Sequence, residues 1–164
     1  MSKIVVYESG TGFTAKYAAW IAEELGCEAK ELRKINIKEL NQYDMVIYGG
    51  WIMAGMVAGY GKIKELNLKK LVVFAVGMTI PSEEVKTKIQ EQNQIPESDF
   101  FYFEGGYNPK KLGFFKKMMM NMIGKSIEKK EEKTEEDLYM LETLKGADRT
   151  NKDAIRELVE FCKM

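Results

Sequence analysis

The sequence contains no histidine. Catalytic triads that use His, and metal sites that His would ligate, are therefore excluded. Cysteine is nearly absent as well. Cys27 and Cys162 stand far apart and form no Cys-x-x-Cys motif. Cys27 opens a predicted strand, and Cys162 falls on the apolar stripe of the last predicted helix, so both read as reduced core residues of a cytosolic protein. Net charge is also missing: 25 Lys and Arg balance 25 Asp and Glu. With no overall basic excess to neutralise phosphates, the balance argues against nucleic acid as a partner. No apolar run reaches transmembrane length and no signal peptide precedes the first strand, so a cytoplasmic location is expected.

What is present describes a foldable chain. At 164 residues, 45% hydrophobic and 30% charged, it is long enough for one domain, residues 1–164, with a real core. The informative stretch is the first turn. Lys3 to Tyr7 is a short, β-branched apolar run and reads as a buried strand. Glu8-Ser9-Gly10-Thr11-Gly12-Phe13-Thr14 follows, dense in hydroxyls and glycines. Ala18, Ile21, Ala22 and Leu25 then recur with helical spacing. Strand, glycine-hydroxyl loop and helix together build an anion pocket, because loop N–H groups and the positive helix end converge. Gly10 and Gly12 can take positive φ, and Ser9, Thr11 and Thr14 each supply a hydroxyl. No basic residue lies within the loop, so dipoles alone are expected to hold the anion. The competing reading is a polar turn in which Ser9 or Thr14 merely caps the helix.

Two nucleotide patterns fit less well. A P-loop needs a Lys after its last glycine, and none follows Gly12. A dinucleotide fingerprint can tolerate Ala15 at its third glycine, and Glu28 and Glu31 lie near the required acidic position. The hydroxyl at every second position speaks against it.

Further along, Gly26 is a plausible helix C-cap, Cys27–Leu32 a weak edge strand, and Arg33–Asn41 a charged connector. Asp44–Gly50 and Leu71–Gly77 are continuous apolar strands of the kind covered on both faces. Pro81-Ser82-Glu83-Glu84 opens a helix, Asp99–Phe103 is a fifth strand, and Thr150–Asp153 caps a final helix with Ile155, Leu158, Val159 and Cys162 as its stripe. Strands alternating with helices imply an α/β fold: a parallel sheet with right-handed crossovers. Such sheets bind ligands beyond the carboxyl ends of their strands, where the strand order reverses. Three strand ends meet there: the hydroxyl loop, Gly49-Gly50-Trp51-Ile52-Met53-Ala54-Gly55, and Gly77-Met78-Thr79-Ile80. Trp51 is expected to stack on a bound ring; the alternative is a Trp that plugs the top of the sheet.

Ser9-x-Thr11-Gly12-x-Thr14 on the first strand, the Gly-Gly-aromatic end of the third strand and the five-strand rhythm resemble the flavodoxins over roughly the whole chain. The resemblance implies a three-layer sandwich: a five-stranded parallel sheet of order 2-1-3-4-5 with helices on both faces. It implies FMN as cofactor, redox partner proteins and electron carriage between oxidoreductases. The implied cofactor-binding residues are Ser9, Gly10, Thr11, Gly12, Phe13 and Thr14 around the phosphate, with Gly50, Trp51, Ile52 and Met53, then Gly77, Met78 and Thr79, flanking the isoalloxazine. Phe13 stands where many members have Asn. The third loop lacks the family's Tyr or Trp, so one ring face is left to Met78 or Tyr107. No catalytic residue is implied, and flexible Gly49-Gly50 and Gly55 would allow a peptide flip on reduction. Flavodoxins are usually acidic, which this chain is not.

A looser resemblance joins Tyr43–Gly55 and Phe103–Leu112, with Phe114-Phe115 behind them, to the flavodoxin-type protoporphyrinogen oxidases. It implies a flavin oxidase with a quinone or porphyrinogen as partner. A flavin-free regulatory or structural domain is the third reading. The chain also has an extra segment, about 107–149. Within it, Leu112, Phe114, Phe115, Met118, Met119, Met120, Met122 and Ile123 are flanked by lysines. As a helix this stretch reads either as core, the favoured reading, or as a surface (110–125) that meets a membrane, a quinone or a protein. Glu128–Asp137 reads as an exposed helix or linker.

Overall fold

The computed structural model describes residues 1–164. In chain order the elements are β1 (Lys3–Glu8), α1 (Phe13–Leu25), β2 (Glu28–Glu31), β3 (Met45–Met53), β4 (Met56–Val57), α2 (Tyr60–Ile63), β5 (Leu71–Gly77), α3 (Glu83–Asn93), β6 (Phe100–Glu104), β7 (Gly106–Tyr107), α4 (Phe114–Glu128), α5 (Glu135–Leu144), β8 (Ala147–Asp148) and α6 (Arg156–Lys163). The main sheet runs β2-β1-β3-β5-β6, and all four pairings are parallel. Counting only these five strands, this is the expected 2-1-3-4-5 order, so the order reverses between β1 and β3.

The apolar strands are continuous because both sheet faces are covered. On one face Val5, Ile47, Val72 and Phe74 pack under Tyr17, Ala18 and Ile21 of α1 and Leu158, Val159 and Cys162 of α6. On the other, Ile4, Val6, Val46, Tyr48 and Val73 pack against Leu40, Tyr60, Ile63 and Ile89. Successive residues alternate between layers, as the two-residue strand period demands. Burial pushes the Cys162 thiol up to about 11, and both cysteines are free. Two of the expected caps are present, whereas Asn151 caps a 3-10 turn, Lys152–Ile155, and α6 itself begins at Arg156 with no side-chain cap. Gly26 ends α1 in the left-handed region at φ 63°, and Ser82 accepts from Val85 N–H at the start of α3.

Two expectations change. First, β3 does not end at Gly50. It continues through Trp51 to Met53 and turns back antiparallel into β4, so Gly49 and Gly50 lie inside the ladder, paired with Tyr7 and Glu8 on one side and Phe74 and Ala75 on the other. These glycines serve packing. A Cβ on Gly49 would stand 2.0 Å from the Phe74 ring, and one on Gly50 would stand 2.6 Å from the Ala58 carbonyl oxygen. Second, the Met-rich helix is not core. After β6 the chain leaves the sheet, forms α4 and α5, and returns where Gly106 and Tyr107 of β7 pair with Asp148 and Ala147 of β8. Only Gly124 and Ile127 of α4 are buried, with Gly124 against Leu144 of α5. Phe114 and Phe115 are 76% and 77% exposed. The stretch between the two helices is linker, and Thr134 and Asp137 then form a capping box on α5. No helix is long and apolar enough to cross a membrane.

Gly49→Ala should destabilise the protein by about 1–3 kcal/mol in urea titration through overpacking against Phe74, and adding Phe74→Leu should recover part of the loss.

Candidate functional site

The β1–α1 turn is the origin of the site. Gly12, at φ 106°, is the N-cap residue of α1 and takes a conformation that suits glycine alone. It lets the chain bend so sharply that the Ser9 hydroxyl accepts from Gly12 N–H at 3.1 Å and from Ala15 N–H at 3.3 Å. Ser9 thus braces the helix start, as a cap would, and keeps its own hydrogen to donate. The N–H groups of Gly10, Thr11, Phe13 and Thr14 have no hydrogen-bond partner within the chain. Thr14 is only 2% exposed as a residue, and its hydroxyl, which bonds to no group of the chain, is open to the cavity. Donors grouped in this way at a helix start are free to meet a ligand. They fit a phosphate monoester, whose oxygens accept several hydrogen bonds at once.

Those donors open on a cavity of about 470 Å³ at the carboxyl end of the sheet, at the reversal of strand order. Its wall contains Ser9, Gly10, Thr11, Phe13 and Thr14 from the first loop, Trp51, Ile52 and Met53 from the β3–β4 hairpin, Gly77, Met78 and Thr79 after β5, and Tyr107 of β7. Gly12 and Gly50 are the two expected residues outside this wall. Gly12 shapes the turn from behind, and Gly50 is committed to the ladder.

Trp51 bridges the two sides of the cavity. Its indole lies 3.7 Å from where a Cβ on Gly10 would be, and the Lys116 ammonium sits 4.3 Å from its ring centroid. The Trp therefore stands on the site and does not plug the sheet. Its hairpin is held firmly. Ala54 and Gly55 turn the corner with φ of 50° and 78°. Gln92 donates to the Ala54 carbonyl at 3.0 Å, and Asn93 donates to the Gly55 carbonyl at 2.8 Å. Asn93, 3% exposed, also accepts from Val57 N–H at 2.9 Å. The two left-handed residues of this loop, Ala54 and Gly55, thus have their carbonyls clamped by two side chains of α3.

Several wall residues lay outside the sequence-based set. Tyr102 donates to the Thr79 carbonyl at 2.9 Å and so fixes the third loop. Burial, aided by Glu104, holds its phenol well above the usual range, so it remains a donor. A Cβ on Gly77 would meet that hydroxyl at 2.5 Å. The largest addition comes from the extra segment: Lys111, Leu112, Lys116, Met119, Met120 and Ile123 form one whole side. The Lys111 ammonium reaches to 3.7 Å of the position a Cβ on Gly12 would take. The β1–α1 turn therefore has a cation beside it after all, drawn from about a hundred residues away. The charge rhythm of the lysines was visible in sequence, but nothing local tied them to the first turn. No Asp, Glu or Cys lines the cavity; its titratable side chains are Lys111, Lys116, Tyr102 and Tyr107.

The flavodoxin domain profile matches residues 4–135. The chain belongs to the flavodoxin domain family. No curated protein matches it significantly in sequence. Among solved structures it is similar to a flavodoxin from the domain Archaea (14% identity, 88% of this chain and 97% of that one, TM-score 0.48). It is similar to oxidised Flavodoxin 2 from Bacillus cereus (16%, 96% and 99%, TM-score 0.47). It is also similar to a flavoprotein from Lactobacillus acidophilus in complex with FMN (14%, 63% and 90%, TM-score 0.41). The wall built by α4 lay outside the expected cofactor-binding set. The same segment concentrates positive charge. Residues 110–130 hold seven lysines against one glutamate, so the rest of this neutral chain carries a net charge of −6.

Asn93→Ala should cost about 1–3 kcal/mol of stability, because it strands the Gly55 carbonyl and the Val57 N–H in a buried corner; chemical denaturation measures it.

Proposed function

We propose that the protein binds FMN in this cavity and carries electrons between partner oxidoreductases. The observation that carries the reading is the set of unmet donors on the β1–α1 turn, opening onto a cavity walled by Trp51 and the two flanking loops. Ser9, Thr11, Thr14 and the free N–H groups would hold the phosphate. Lys111 would neutralise part of its charge. Trp51, Ile52, Met53, Met78 and Thr79 would enclose the ring, with Tyr107 as the buried wall that stands in for the family's third-loop aromatic. The flavin supplies the transfer of one or two electrons. The chain's own part is to bind, orient and exclude water; no carboxylate, imidazole or thiol lines the cavity. The net charge of −6 outside residues 110–130 leaves an acidic body suited to steering basic redox partners. The free, buried Cys162 accords with a cytoplasmic protein.

A second reading rests on the apolar wall of Leu112, Met119, Met120 and Ile123, which could face a lipophilic reductant or oxidant beside the ring. It corresponds to an oxidase of the protoporphyrinogen type with a quinone as acceptor. Anaerobic turnover of protoporphyrinogen with menaquinone, set against reduction by a flavodoxin reductase, separates the two. A purified protein that neither carries nor takes up flavin would leave the regulatory-domain reading.

Apoprotein should quench FMN fluorescence, and Thr11→Val combined with Thr14→Val should weaken binding about tenfold or more. Unchanged FMN fluorescence on titration with apoprotein would overturn the proposal. Lys111→Gln should weaken FMN binding about three- to tenfold while leaving riboflavin, which has no phosphate, unaffected. Equal losses for both ligands would mean that Lys111 acts on the fold and not on the phosphate.

A further inference from the structure

The outward face of α4 is apolar where solvent-exposed helices are polar. Phe114, Phe115, Met118 and Met122 fall on one arc of the helix, with exposures of 76%, 77%, 46% and 65%. None of the four lines the cavity. Met119 and Ile123 do line it and are still 43% and 40% exposed, so apolar surface runs without a break from the cavity rim onto the outer face. Exposed apolar surface of this extent on a soluble fold marks a contact site.

The charge around it names the occupant. Lys110, Lys117, Lys125 and Lys129 are exposed, and none forms an ion pair within the chain. Lys130, by contrast, is taken by Asp137 at 2.8 Å. Glu128 is the only acid between residues 110 and 130. We propose that α4 docks on an anionic lipid bilayer. It lies in the interface with Phe114, Phe115, Met118 and Met122 among the upper acyl chains and the lysines among the headgroups. Long Lys stems reach back to the phosphates from the edge of such a face. Each lysine adds attraction to an anionic leaflet. The face is a convex helix with two adjacent phenylalanines, and a bilayer interface accepts that shape without a matching groove. The acidic remainder of the chain is repelled from the same surface, so the molecule is oriented with the α4 side of its cavity toward the lipid. Docking this way is peripheral and reversible. It rests on the α4 surface alone and holds whether or not FMN is the cofactor.

The test is vesicle co-sedimentation of the full-length protein. Vesicles of phosphatidylcholine with about 30% phosphatidylglycerol are compared with phosphatidylcholine alone. The protein should sediment with the anionic vesicles, and salt near 1 M should release most of it. Phe114→Ser with Phe115→Ser should weaken partitioning about tenfold or more, as should Lys117→Glu with Lys125→Glu. Both pairs face solvent outside the cavity wall, so circular dichroism and melting temperature should match the parent. Failure to bind anionic vesicles, equal binding to neutral ones, or undiminished binding by the phenylalanine variant would overturn the proposal. A dimer in sedimentation equilibrium that the phenylalanine variant abolishes, without vesicle binding, would assign the face to a second copy and overturn it as well.

Discussion

Everything at this site depends on backbone donors that the fold leaves unsatisfied. A helix starting directly from a buried strand has N–H groups with no carbonyl behind them. In most helices the cap residue or water meets them. Here Ser9 reaches forward to two, and the N–H groups of Gly10, Thr11, Phe13 and Thr14, residues of the cavity wall, have no partner within the chain. The left-handed conformation of Gly12 makes the bend possible. The parallel sheet then fixes where the bend sits, because β1 lies inside the sheet, between β2 and β3. The order reverses beside it, so no crossover helix fills the space above.

The rest of the site is supported by clamps of modest strength that each fix one loop. Gln92 and Asn93 of α3 hold the β3–β4 hairpin and so aim Trp51. Tyr102 holds Thr79. The extra segment is pinned where it leaves and returns. β7 pairs with β8, Arg149 N–H donates to the Gly105 carbonyl at 2.8 Å, and the Arg149 guanidinium stacks 3.8 Å over Tyr139 of α5. Tyr139 in turn donates to Glu104 at the end of β6. α4 packs mainly on α5, and so it can present one face to the cavity and another to the outside.

α4 also divides the charge of the chain. The neutrality is the sum of a basic helix and an acidic body, and only the position of that helix in space gives the separation meaning. The two lysines that touch the cavity, Lys111 and Lys116, belong to the same basic stretch as those that face outward. One segment therefore links the anion loop, the tryptophan and the exposed apolar face.

Much of this was written in the order of residues. Apolar runs that never alternate require a sheet covered on both faces, and the glycine-hydroxyl turn after the first strand requires a helix start with free N–H groups. Period and turn chemistry are local, so Ser9–Thr14, Ser82 and Gly26 could be placed without a structure. The tertiary structure alone decided three things. Gly49 and Gly50 read locally as a flexible strand end, yet the Phe74 ring and Ala58 carbonyl occupy the space that side chains would need there. The Met-rich helix read as core because hydrophobicity does not reveal which partner a face meets; the sheet was already covered, so the helix lies outside it. Lys111 could not be assigned to a loop a hundred residues earlier, since a charge acts through distance in space and the sequence records only distance along the chain.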